Sequence, residues 1–470
     1  MVQITCYGGV GEIGGNKILL EDNDTRIFLD FGMSFNQRGK FFEEFLTPRT
    51  ANGIGDFIEL NLIPDIEGVY REDLLAHYGK KPEDPTIQGV LLSHAHADHA
   101  NYISFLNKEI PIYCGKTCLS ILQAVEEQSQ RTLECEVLNY KKRPLFRKDY
   151  KKSPLQRKFN TFKTGDKFHI DSLEIEPIHV DHSVPGAYGF IIHTSEGPII
   201  YTGDMRVHGL HGKMTEEFIQ TASIEKPLAM ISEGTRIDQQ KTNESENKVY
   251  IDSKNILQNT KALSIVDFNF KDIDRFRTFY RIAKELNKKL VISFKHACFL
   301  ERYHHETKLQ VPDSKDEFIC LLLPKRLTGT YSKEDYTESY IKKRLNYQNI
   351  IRAEDIYKNP HQFIVVLNFW YFNMLIDLKP YNGTYVHSLS EPFNEEMEIS
   401  SDRMHNWLNH YHLHFVQSHC SGHMTGTDLK RVITKMDPEK LIPIHTEKPE
   451  LFKTFHDRVI QVNQGKTYKL

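Results

Sequence analysis

His94-Ala95-His96-Ala97-Asp98-His99 sets three imidazoles and a carboxylate within six residues. The chain has 23 histidines among 470 residues, so chance would place three at these offsets about 0.06 times. Two histidines two residues apart at a strand end point to one side. The following turn can bring Asp98 and His99 to a second position. Zinc favours imidazole nitrogen and carboxylate oxygen at about 2.0–2.2 Å, so the pattern suits metal chemistry; a solvent-facing histidine-rich loop is the competing reading. Three further candidates end apolar runs: His182 in Val-Asp-His-Ser-Val-Pro, Asp204 in Ile-Ile-Tyr-Thr-Gly-Asp, and His445 in Leu-Ile-Pro-Ile-His. Open α/β sheets place ligands at such positions. Alone, each reads as an ordinary hydrogen-bonded residue. Together they make seven ligands, enough for two four-coordinate metals if Asp204 is shared. His179 reads as structural.

The elements that must position these residues follow from patterning. Short β-branched and aromatic runs separated by Gly/Asn/Asp predict strands at Val2–Tyr7, Lys17–Glu21 and Arg26–Asp30. The glycines between residues 8 and 15 read as turns letting strands approach closely, since no helix-length period follows them. Ile87–Ser93, Tyr188–His193, Pro198–Thr202 and Leu228–Ser232 read as further strands, and Ala100–Asn107 as helical. After Arg236 a polar stretch leads into alternating strands and helices, which predicts a mainly parallel sheet. From about His412 the first texture returns. The expected fold class is α/β, with one domain formed by 1–235 and 406–470 and a second, 236–405, inserted between.

Composition narrows the class. Apolar residues make up 39% and charged residues 26%, as in a folded chain. No window approaches the roughly 18 apolar residues of a membrane span, and the N-terminus lacks a secretory pattern. Seven scattered cysteines with no Cys-x-x-Cys pair read as reduced thiols of a cytoplasmic protein. A net charge of −3 excludes a uniformly basic coat but not a local one. Residues 140–159 supply one: nine Lys/Arg, including Lys141, Lys142 and Arg143, against one Asp, with Tyr140, Phe146, Tyr150 and Phe159 interleaved. Such a segment can track phosphates while its rings stack on single-stranded bases; a solvated basic insertion is the bland alternative. Pro144 and Pro154 make it a loop or ribbon.

Several blocks resemble the metallo-β-lactamase superfamily, and more narrowly its β-CASP nuclease branch and the ribonuclease J family. They are Gly8–Asn16, His94–His99, His182–Phe190, Tyr201–Arg206, Ser421–Lys430 and Ile442–Glu447. The resemblance implies an αββα sandwich carrying an inserted β-CASP domain, and two zinc ions, with manganese as the alternative. His94, His96 and His182 would hold one ion, Asp98, His99 and His445 the other, with Asp204 between them. Glu233, His423 and His445 match the branch's three extra motifs. His423 would act as general acid, oriented by Glu233, with Asp98 also at the catalytic centre. Two zinc ions, Asp98, Asp204 and a hydroxide leave a charge of about +1, suited to a phosphodiester.

Histidine at position 445 resembles the RNA-directed members; DNA-directed relatives tend to have an apolar residue there. The implied partner is single-stranded RNA, bound in a groove between the domains, with Ser421, Gly422 and Arg275 near substrate and no membrane involved. The Gly-Ser-Gln-Gly-Glu-Pro-type block of ribonuclease J is missing, replaced by Trp370-Tyr-Phe-Asn-Met, which weakens inference of a 5′-end pocket. With about 25 residues after His445, the family's additional C-terminal domain is not expected, so oligomerisation through it is not implied and a homo-oligomer is left open. Competing readings are a DNA-directed nuclease, a small-molecule hydrolase sharing the metal motif, and a non-catalytic RNA-processing scaffold.

Overall fold

The computed structural model describes residues 1–43, 45–129, 132–149, 153–241, 245–304, 306, 309–390 and 395–470. The chain forms two compact units. One comprises 1–207, 211–242 and 422–470; the other comprises 208–210 and 243–421.

The first unit is an α/β sandwich. One sheet runs in the order Thr467–Lys469, Val2–Gly8, Lys17–Asp22, Thr25–Phe31, Gly89–Leu92, Ile112–Gly115 and Phe159–Phe162. The second runs Lys440–Pro443, Ala229–Ser232, Gly197–Tyr201, Ala187–Thr194, Leu173–Val180 and Phe168–Ile170. Their inner faces share one core, with Ile4, Leu20, Ile27 and Leu91 packed with Ile175, Phe190, Ile199 and Ile231. On the other face of the second sheet, helices Gly212–Ile224 and Gly426–Met436 bury Phe218, Ile219, Leu429 and Val432. This burial of apolar stripes on both faces makes a layered sandwich stable. Gly197–Tyr201, Ala229–Ser232 and Lys440–Pro443 are mutually parallel, with Tyr201, Ile231 and Ile442 level. Their carboxyl ends therefore share one edge, where Asp204, Glu233 and His445 follow.

The expected helix at 100–107 is instead a short α-helix, Ala97–Ala100, running into a 3₁₀ segment, Asn101–Phe105. Residues 140–159 do form a ribbon at their ends, where Asn139–Tyr140 pairs with Leu155–Gln156.

The second unit is built on a seven-stranded sheet in the order Ile350–Ile351, Ile319–Leu322, Lys289–Ile292, Phe363–Val366, Ser264–Asp267, Thr384–His387 and His414–Gln417. Every pairing among the described residues is parallel. Its central strands are buried throughout, as expected when both faces are covered. Strand His414–Gln417 pairs with Thr384–His387. The second unit therefore extends to Ser421, past the return at 406 read from sequence. The hydrophobic pattern of one strand cannot say which sheet it joins.

Arg275 sits inside this unit and is fully buried. Its guanidinium meets Glu246 at 3.0 and 3.2 Å and donates to the carbonyls of Ser388 (2.8 Å) and Cys420 (3.3 Å). This corrects the expected substrate contact: its donors are spent on the fold. Removing one partner of a buried pair strands the other charge and costs about 3–5 kcal/mol. Arg275→Ala should lower the denaturant midpoint reported by Trp370 and Trp407, both in this unit. An unchanged midpoint with weakened RNA binding would restore the phosphate-contact reading.

Candidate metal centre

Strand Gly89–Leu92 ends at Ser93 and His94, and helix Ala97–Ala100 starts with His96 at its N-cap. This turn faces His94, Asp98 and His99 into the first unit, with His94 and His99 completely buried. His182 follows strand Leu173–Val180; Asp204, Glu233 and His445 follow the three parallel strands. The structure brings all seven expected metal ligands together. His94, His96, His182 and Asp204 form one group, with ligand atoms within 4.8 Å of one another. Asp98, His99 and His445 form another on the same criterion, and Asp204, Glu233, His423 and His445 a third.

Asp204 belongs to two of these groups and lies close to the imidazoles of the other. Its Oδ2 lies 3.2 Å from His99 Nε2, 3.6 Å from His94 Nε2, 3.6 Å from His445 Nε2 and 3.8 Å from His182 Nε2. Asp98 Oδ2 lies 3.2 Å from His445 Nε2 and 3.8 Å from His99 Nε2. His96 Nδ1 faces His94 Nε2 at 3.0 Å and His182 Nε2 at 3.1 Å.

The residues holding these rings are mostly ones the sequence reading passed over. Asp30, at the end of strand Thr25–Phe31, receives His99 Nδ1 (2.7 Å), Ser93 Oγ (2.7 Å) and Tyr201 OH (2.6 Å). A carboxylate behind a histidine fixes its tautomer and leaves the other nitrogen for a metal. Asp30 ends the apolar run Ile27-Phe28-Leu29, so the signal that found Asp204 could have found it. His182 Nδ1 donates to the Gly422 carbonyl at 2.7 Å. A Cβ on Gly422 would lie 2.9 Å from the His182 ring, so this glycine lets the two segments meet. Gly14, at φ +81°, backs onto Asp98 in the same way, and Gly9 O accepts from His445 N at 2.7 Å. The glycine-rich loop thus serves close approach, as read from sequence. His179 stacks on Tyr188 and bonds Thr164, outside the ligand groups.

His423 stands beside the cage. Its Nδ1 is 3.1 Å from Glu233 Oε2, and Thr235 Oγ1 lies 3.2 Å from the same nitrogen. Burial opposes a charge on this imidazole, but Glu233 and Asp204 outweigh it and push its pKa up to about 9. Bound cations would act in the opposite direction. Burial also lowers His94 well below the usual histidine range and His182 to about 4, favouring the neutral, ligating form. At His99 burial is overcome by Asp204, Asp30 and Asp98, which raise it well above that range. The centre demands positive charge there. Asp30 and Glu233 add two carboxylates that the sequence-based charge of +1 left out; a protonated His423 returns one.

Of the expected substrate contacts, Gly422 lies at the centre through His182, and Ser421 belongs to the second unit. Arg143 is committed to Glu136 at 2.6 and 2.9 Å, and exposed Lys142 pairs with Glu72. Lys141 is partly exposed. Tyr140 is buried beneath Arg71, 3.6 Å from ring centroid to guanidinium, and cannot stack on a base. Tyr150 lies outside the described residues, Phe159 is half-buried, and Phe146 is exposed. Tyr140 is structural because the Arg71 and Arg157 guanidiniums both lie against its ring, and Arg71 also pairs with Glu136.

The donor set fits a metal. Among the described residues Asp204 Oδ1 is buried with no hydrogen-bond partner, which is costly unless a cation completes it. Around a tetrahedral zinc, ligand nitrogens sit about 3.3 Å apart, close to the spacings at His96. Residues 63–240 match the β-lactamase superfamily domain, and 413–459 match the Zn-dependent metallo-hydrolase RNA specificity domain. Ribonuclease J 2 of Staphylococcus aureus (strain NCTC 8325 / PS 47) is 22% identical over 455 residues, covering 95% of this chain and 69% of the relative. Ribonuclease J of Helicobacter pylori (strain J99 / ATCC 700824) is 24% identical over 294 residues, 62% of this chain and 36% of the relative. A crystal structure of a protein of unknown function from Enterococcus faecalis V583 shares the fold, with TM-score 0.76, 22% identity and full coverage of both chains. The chain is metallo-β-lactamase-like over the matched stretches. The two matched domains and the span of the relatives mark it as β-CASP and ribonuclease J-like.

Proposed function

We propose that the protein is a metal-dependent nuclease that hydrolyses RNA phosphodiester bonds. The observation that carries this is Asp204 Oδ2 with four imidazoles within 3.8 Å and the His423–Glu233 pair alongside. His94, His96 and His182 would hold one ion and Asp98, His99 and His445 a second, with Asp204 shared; zinc suits these donors and manganese is the alternative. Bound metal would supply water of lowered pKa and positive charge at the phosphate. His423 has the proton-donor role. Its Nδ1 is turned to Glu233, so Nε2, on the opposite side of the ring, protonates the 3′-oxygen as the P–O3′ bond breaks. RNA as substrate is supported by the matched RNA specificity domain and the relatives' names. Single-stranded substrate is supported by exposed Phe146 and Lys148 on the basic ribbon. Among the described residues no helix is long and apolar enough to cross a membrane; the scatter of the seven cysteines along the chain supports reading them as reduced thiols in a cytoplasmic setting.

Labelled RNA and DNA of matched sequence decide the reading. The zinc-loaded protein should cut RNA at least about tenfold faster than DNA, and chelation should abolish cutting. Intact RNA at two bound zinc ions per chain, or DNA cut equally well, would overturn it.

A further inference from the structure

Thr235 follows Glu233 and Gly234 at the carboxyl end of strand Ala229–Ser232. Its hydroxyl lies 2.9 Å from His445 Nδ1, 3.2 Å from His423 Nδ1 and 3.4 Å from the His445 carbonyl. The protons can be assigned. His445 Nε2 faces Asp98 and Asp204, so it is the nitrogen that would ligate and must carry no proton. The ring proton therefore sits on Nδ1 and donates to Thr235 Oγ1. His423 Nδ1–H is shared between Glu233 Oε2 and the same hydroxyl oxygen. A threonine hydroxyl has two lone pairs and one proton. Both lone pairs accept from imidazoles, and the proton is left for the His445 carbonyl. That carbonyl belongs to a residue held at φ +51°, a left-handed backbone in need of support.

We propose that Thr235 is a positioning residue whose single hydroxyl locks His445 in the tautomer that presents Nε2 to the metals and holds the His423 ring beside it. Ligand and proton donor would then be set by one group. This rests on the nuclease reading above only for the role of His423; the effect on His445 stands on geometry alone.

Thr235→Val keeps the side-chain shape and removes the hydroxyl, while Thr235→Ser keeps the hydroxyl and removes the methyl. Zinc affinity of the full chain is measured against a chromophoric chelator, and ring tautomers are read from ¹⁵N–¹H correlations of the zinc-loaded protein. Losing such a supporting partner typically costs about 10–100-fold in metal affinity. Thr235→Val should show that loss and an altered His445 ring pattern. It should also cleave RNA more slowly even at saturating zinc. Thr235→Ser should stay within about threefold of the unaltered protein in all three, since its hydroxyl keeps the bonds. Wild-type zinc affinity and ring pattern in Thr235→Val would overturn the proposal, as would a serine variant as defective as the valine one. If the unaltered protein cuts no RNA, the nuclease reading fails, while affinity and tautomer still decide Thr235.

Discussion

Replacing His423 with alanine is expected to slow RNA cleavage by about 10²–10⁴-fold, the range for a positioned proton donor, while both metals stay bound. The 3′-oxygen leaves as an alkoxide unless it is protonated, and His423 is the group proposed to protonate it. Its Nδ1 is held by Glu233 and Thr235, and the two buried carboxylates Glu233 and Asp204 favour the charged ring. A contrary outcome is concrete. His423 belongs to a group of potential ligands with Asp204, Glu233 and His445. If the alanine variant loses a metal together with its activity, His423 is a ligand and the assigned role is wrong. Restoring activity with a substrate whose leaving group needs no proton would support the donor role independently.

The second large effect belongs to Asp204. Asp204→Asn keeps the shape and removes the charge from the oxygen that four imidazole nitrogens surround. Because the proposed arrangement shares that oxygen between both ligand sets, bound metal should fall from about two per chain to one or none, where losing a ligand of one set alone should spare the other ion. Metal-supplied charge stabilisation is worth several kcal/mol, so cleavage should fall by about 10³-fold or more. Elemental analysis after gel filtration reads the first expectation and product formation the second. Two tightly held ions in the asparagine variant would show that Asp204 is not shared.

How much of this was legible beforehand differs from residue to residue. His94, His96, Asp98 and His99 announced themselves because their offsets are local: a strand end and one turn of helix bring them to one place. His182, Asp204 and His445 were found by a weaker rule, the carboxyl end of an apolar run. Asp30 satisfies the same rule and was missed, because an aspartate behind a histidine leaves no mark of its own in sequence. Thr235 was missed for a related reason: a hydroxyl in a Gly-Thr-Arg stretch has many ordinary uses. Arg275 and Arg143 were assigned to substrate by residue type. A buried guanidinium and a surface one look alike until Glu246 and Glu136 are seen beside them.

The sequence alone determined the class of fold, the alternation that makes the second unit a parallel sheet, and the identities of the seven candidate ligands. Those depend on periodicity and on spacing over a few residues, which the backbone converts directly into direction. Only the tertiary structure decided that strand His414–Gln417 joins the second unit's sheet, that Asp204 Oδ2 is the atom the imidazoles surround, and that Asp30 and Thr235 set the rings. Such partners lie up to hundreds of residues apart along the chain. Their meeting is fixed by sheet register and core packing, sums over many weak contacts that no local pattern encodes.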